Sequence, residues 1–140
     1  MIILDTNVLS ALMLEKPDIS VALWLDRQPR TSVWTTSITI LEIRSGLLAM
    51  APGRRRARLE NLFTSMIEER LEQRVLTFDQ PAAEEAATVS ALRRRVGQPR
   101  ELRDTMIAGI ALAQHATLAT RNVHHFDDLK LAVIDPWRER

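Results

Sequence analysis

The 140-residue chain contains no cysteine and only four glycines. Without thiols there can be no disulfide and no thiolate metal site, so nothing points to an oxidising compartment. No basic leader, long apolar run or cleavage site precedes the first apolar residues, and the expectation is a cytoplasmic protein that does not associate with membranes. Gly/Ser linkers, low-complexity stretches and internal repeats are missing too. What remains is one domain over residues 1–140, long enough for a full core. The first turn is not glycine-rich, which excludes a dinucleotide-binding fold. Lysine is nearly absent: 17 of the 19 basic residues are Arg.

What is present is ordinary for a globular protein, with 46% hydrophobic and 26% charged residues and a net charge of +1. The charge is unevenly spread. Arg54, Arg55, Arg56 and Arg58 form one basic cluster and Arg93, Arg94 and Arg95 another. Arginine suits phosphate because its planar fork donates two hydrogen bonds at once, but a solvated helix face gives the same pattern. The first cluster opens a helix whose dipole it opposes, which favours binding over helix stability.

Strands alternate with helices along the chain. Met1-Ile2-Ile3-Leu4 reads as a buried strand ending at Asp5, and a short helix follows over 8–13. Asp18 caps a second helix with Ile19, Ala22, Leu23 and Leu25 turned inward and Trp24 packing beside them. Residues 31–36 form a second strand by their β-branched content. Ser37 caps a helix to Met50 that is apolar on almost every side and so largely buried. After Pro52-Gly53 comes an amphipathic helix over 54–73, then a strand over 74–78 and a helix over 82–96 opened by Asp79 or Gln80. Residues 105–115 form a second buried helix with Asp104 at its mouth, and His115 at its end is structural. Short strands over 117–120 and 131–134 complete an α/β fold, a three-layer α/β/α sandwich with a mainly parallel central sheet.

In such a sheet, sites collect outside the carboxyl ends of the strands, and that is where the acids lie. Asp5 ends the first strand. Glu42 sits in a helix with no polar stripe and needs a partner, whether a metal, a hydrogen-bond network or one of the arginines. Asp104 is either a helix cap or a site acid. Asn122 follows the fourth strand. Converging carboxylates repel unless a cation lies among them, and oxygen ligands without His or Cys select Mg²⁺ or Mn²⁺. Such an ion activates water and stabilises a pentacoordinate phosphate, so an acidic pocket ringed by Arg suits phosphodiester hydrolysis.

Four motifs in order, Ile-Leu-Asp5-Thr6-Asn7, Thr-x-x-Glu42, Asp104-Thr-x-Ile-Ala and Leu118-Ala119-Thr120-Arg121-Asn122, closely resemble the PIN-domain ribonucleases, and within them the VapC or FitB type of bacterial toxin. The likeness spans essentially the whole chain. It implies a Mg²⁺-dependent endoribonuclease acting on single-stranded RNA, with Mn²⁺ able to substitute. It also implies a homodimer, and a cognate antitoxin through which alone DNA is contacted. By position it makes Asp5, Glu42, Asp104 and Asn122 the catalytic set, with Asp5 and Asp104 as metal ligands and Thr6, Asn7, Thr120 and Arg121 in support.

Many relatives have a fourth acid where this chain has Asn122, which puts a second tightly held metal in doubt; Asp127 or Asp128 are substitutes, unless 124–128 is an exposed turn. The paired histidines, His124 and His125, lack zinc-type spacing and receive no metal role. A haloacid-dehalogenase-like phosphatase needs an acid where Asn7 stands, and a phospho-receiver domain needs a late-strand Lys that is missing. Two alternatives stay open: a catalytically weak PIN-like module that binds RNA or protein, and an RNA-processing nuclease without an antitoxin.

Overall fold

The computed structural model describes residues 1–139. Ile2–Leu4 form β1, the middle strand of a five-stranded sheet, and its side chains alternate between two cores as the pleat requires. Leu4 enters a core beneath the first four helices, and Ile3 enters a second core on the opposite face. The other strands are β2 (Val33–Thr36), β3 (Val75–Leu76), β4 (Thr117–Ala119) and β5 (Val133–Ile134), in the order β3-β2-β1-β4-β5. Every pairing is parallel, so the sheet is wholly rather than mainly parallel. The edge strands β3 and β5 are shorter than their apolar runs suggest, since only one side of each is paired.

On one face lie α1 (Thr6–Leu12), α2 (Ile19–Asp26), α3 (Ser37–Ala49) and α4 (Arg54–Ser65); α5 (Gln80–Arg95) and α6 (Leu102–Ala113) cover the other. The α2 helix is rotated from the expected register. Val21, Trp24 and Leu25 are buried, while Ile19 and Leu23 are 72% and 54% exposed. The indole has the largest apolar area available, and turning it inward outweighs the two aliphatic side chains left outside. Likewise α3 is less buried than its composition suggests. Ile38, Thr39, Ile43 and Leu47 face inward, whereas Leu41 and Leu48 are exposed. Its cap is Thr36, whose hydroxyl accepts the Thr39 N–H, and Ser37 is already helical.

The helix expected over 54–73 changes character at Met66, where residues Met66–Arg70 widen into a turn closed by Leu71 N–H bonded to Met66 O at 2.9 Å. Against the other face, α5 and α6 approach so closely that a Cβ on Gly109 would meet the Ala82 carbonyl oxygen at 2.5 Å. Only glycine permits that contact. The α6 helix is buried through Thr105, Ile107, Ala108, Gly109, Ile110 and Ala111, and it stops where His115 adopts φ 50°. With α6 clamped against α5, its first turn has a fixed position at the rim of the sheet.

Candidate active site

The strand order runs from β1 to β2 and β3 on one side and to β4 and β5 on the other, so the switch point lies between β1 and β4. A crevice opens outside the carboxyl ends of strands at such a point. Asp5 follows β1 there and caps α1, its Oδ1 accepting the Thr6 N–H at 2.8 Å. From the end of β4, Thr120 donates its hydroxyl to Asp5 Oδ2 at 2.8 Å. Asn7 donates to Thr120 Oγ1 at 3.3 Å, and its own Oδ1 accepts the Arg121 N–H at 3.2 Å. The Asn122 N–H also reaches Thr120 Oγ1, at 3.1 Å. Thr120 is thus the link between the two strand ends, with Asn7 and Asn122 gathered around it, while Thr6 turns its hydroxyl to Thr39.

Asp5 is only 5% exposed, and the hydrogen-bond donors holding it are neutral groups. Burial pushes its pKa upward, the bonds from Thr120 and Thr6 oppose this, and the nearby charge of Asp104 pushes it up further. Glu42, on α3, is raised too, again chiefly by burial. The Arg103 guanidinium pulls it back down, while Asp5 and Asp104 repel it. Its partner is that guanidinium, with Arg103 Nη1 3.1 Å from Glu42 Oε2, and Glu101 holds the same arginine. The arginine alternative from the sequence is therefore the contact present.

Asp104 does not cap α6, since Glu101 holds the N-cap position. Its side chain, in the first turn, bonds through Oδ2 to His125 Nδ1 at 3.0 Å. Asp5, Glu42, Asp104, Arg121, Asn122 and His125 line one cleft of about 520 Å³. The Arg121 guanidinium also lies 4.9 Å above the Trp137 ring, which fixes its direction at the rim.

Two expectations are corrected here. Neither Asp127 nor Asp128 reaches the cleft to replace a fourth acid: Asp128 accepts Arg93 at 2.9 and 3.1 Å, and Asp127 pairs with Arg100. Arg93 is accordingly no part of a solvated face; it is 1% exposed. The first basic cluster divides as well. Arg56 is tied to Glu60, whereas Arg55 and Arg58 open on a neighbouring groove of about 770 Å³ that shares Thr6 and Glu42 with the cleft. Sequence reasoning missed His125 and Arg103. Their signal was position alone, one just beyond the short fourth strand and the other adjacent to Asp104.

Among the described residues, no three acidic or histidine side chains are drawn together closely enough to hold an ion by themselves. The donor chemistry still fits a hard divalent cation, which takes one or two carboxylates and keeps several waters. Asp5, buried with neutral donors only and repelled by a second acid, is the kind of carboxylate that a cation would relieve.

A wholly parallel α/β protein with a cleft of mutually repelling acids at its switch point is the class that fold and site define. The PIN domain model matches residues 2–130, and the chain belongs to that family. It is 36% identical over 137 residues to the VapC ribonuclease Y4jK of Sinorhizobium fredii, covering 98% of each chain. It is 31% identical over 147 residues to the toxin FitB of Neisseria gonorrhoeae, covering 99% of this chain and 100% of that one. A solved structure of FitAB bound to an IR36 DNA fragment superimposes with a TM-score of 0.90 at 31% identity, over 100% of this chain and 98% of that one. Among the described residues no helix is long and apolar enough to cross a membrane.

Proposed function

We propose that the protein is a divalent-metal-dependent endoribonuclease that cleaves single-stranded RNA and forms the toxin half of a toxin–antitoxin pair. The observation that carries this reading is the gathering of Asp5, Glu42 and Asp104 about one cleft at the switch point of a PIN-family chain. The ribonuclease and toxin names of its relatives support it. Asp5 and Asp104 would hold Mg²⁺, with Mn²⁺ able to substitute. A cation bound there supplies an activated water and stabilises charge developing on the phosphate.

The chain's own residues prepare that chemistry. Thr120 and the Thr6 N–H fix the two oxygens of Asp5, so its carboxylate does not reorganise during the reaction. Arg103, half exposed, bonds Glu42 through one guanidinium nitrogen and Glu101 through the other two, and so holds the Glu42 carboxylate in place beside the cleft. Asn122 donates or accepts a hydrogen bond but adds no charge. Of the acids lining the cleft, Asp18 is engaged by Trp137 and Glu101 by Arg103, so Asp5, Glu42 and Asp104 remain and suit one tightly held ion. Asn122 is also the one feature that favours a catalytically weak binding module.

The FitAB–DNA likeness supports a cognate antitoxin, with DNA contacted only through it, and the family resemblance adds a second copy of the chain. Leu41 and Leu48 give α3 an uncovered apolar face that pairing of two copies would bury. The test is cleavage of single-stranded RNA by the antitoxin-free protein with Mg²⁺ or Mn²⁺, beside Asp5→Asn. The expected result is a loss of roughly 10²–10³-fold in rate for the variant. Equal cleavage by both proteins, or none by either, contradicts the reading.

A further inference from the structure

One buried cation has no place in the reaction as described. Arg93 lies in the last turn of α5 and donates to four acceptor atoms: Asp128 Oδ2 at 2.9 Å, Asp128 Oδ1 at 3.1 Å, Thr105 Oγ1 at 3.2 Å and the His125 carbonyl at 2.9 Å. A guanidinium has a rigid planar fork, so bonds to all of these fix the relative position of what they touch. Thr105 is the residue after Asp104 on α6. The His125 carbonyl belongs to the short helical turn Val123–His125 that follows Asn122. Arg93 therefore pins the segment after β4 onto the first turn of α6.

That pinning has a consequence in the cleft. The His125 ring, partly exposed, reaches from the pinned turn to Asp104 Oδ2 at 3.0 Å. A carboxylate oxygen only accepts, so the contact calls for a hydrogen on Nδ1. Asp104 does not cap its own helix, and His125 is its hydrogen-bond partner among the described residues. Without the imidazole the carboxylate would be free to rotate about its side-chain bonds, one helix residue from the Arg103 guanidinium.

We infer that His125 is a positioning residue for Asp104, and that Arg93 holds His125 in place from beneath through its backbone carbonyl. The inference rests on the metal-dependent reading of the cleft. Partners of this kind orient a carboxylate toward an ion, and their loss typically costs roughly 10–100-fold in metal affinity or activity. Nothing in the sequence signals the link, because Arg93, Asp104 and His125 are brought together only by the packing of α5 on α6 and the turn after β4.

The experiment uses the full chain and Mn²⁺ as the probe, with His125→Ala, His125→Asn and Asp128→Asn beside wild type. Asparagine keeps a donor where Nδ1 stands, so it is the conservative replacement. Calorimetric titration is expected to give a roughly 10–100-fold weaker Mn²⁺ affinity for His125→Ala and near-normal affinity for His125→Asn. RNA cleavage is expected to fall in kcat with KM little changed, while melting temperature moves little because the ring is partly exposed. Asp128→Asn keeps its shape but loosens Arg93, and is expected to give a smaller loss in the same direction; no loss removes Arg93 from the inference. Nitrogen chemical shifts of His125 in the metal-free wild type are expected to show the Nδ1–H tautomer.

Equal Mn²⁺ affinity in wild type and His125→Ala, the opposite tautomer, or a His125→Asn variant as weak as His125→Ala overturns the positioning role. A wild type that binds Mn²⁺ but cleaves no RNA overturns the nuclease reading alone. A wild type that binds no Mn²⁺ overturns both.

Discussion

Asp5 and Asp128 are the same residue type on the same molecule, and their surroundings push them in opposite directions. Asp128 faces a buried guanidinium that bonds both its oxygens, and Arg93 holds its carboxyl below the usual range. Asp5 is the more deeply buried of the two, yet the donors that hold it are hydroxyl, amide and backbone groups, and burial drives its pKa up. The matched charge ties α5 to the segment after β4. The unmatched one sits at the switch point of the sheet with a second and third acid nearby. A carboxylate kept in a dry place without a cation is costly to folding, and that cost is the ground for the divalent cation proposed above.

The largest effect should come from breaking the matched pair. Asp128→Ala leaves the Arg93 guanidinium buried without its carboxylate, and about 3 kcal/mol of stability should be lost in a denaturant titration. Milder loss would mean that Thr105 and the His125 carbonyl suffice for Arg93.

The opposite directions also make a pH prediction. Asp128 has a lowered folded pKa, so its contribution is present above the ordinary value of 3.8 and is lost as pH falls through the lower folded value. Asp5 has a raised folded pKa, so its contribution is present below 3.8 and is lost as pH rises through the higher folded value. In metal-free protein, Asp5→Asn should therefore gain stability relative to wild type as pH rises from 3.8 towards neutrality. Melting curves in a chelator across that window check this, and a difference that stays flat with pH would dissolve the contrast.

The smallest effect concerns Glu42, which stands between the two cases with one half-exposed arginine. Arg103→Gln should change stability by no more than about 1 kcal/mol, because an ion pair open to solvent is screened. A much larger loss would place Arg103 with Arg93 as a structural cation.

Much of this was legible in the sequence, because apolar runs and their breaks report burial directly. The run before Asp5 gave the central strand, and the charge-free stretch after Asp104 gave the helix buried against α5. The acids were readable because each stands next to such a run. Partner choice was not. Glu42 needed a partner by simple energetics, but that it is Arg103 follows from how α3 and α6 meet. Arg93 looked like one of three solvated arginines, since a basic run does not reveal which member faces inward. The α2 register failed for a related reason: one indole outweighed two aliphatic side chains when the helix chose a face.

The proposed divalent cation would sit against Asp5, the unmatched carboxylate. The direct measurement is the pH titration of the Asp5 side-chain carboxyl carbon by nuclear magnetic resonance, with and without Mg²⁺. The expected midpoint lies above 3.8 in the metal-free protein and falls below it when Mg²⁺ is added. A midpoint that Mg²⁺ does not move would contradict that placement.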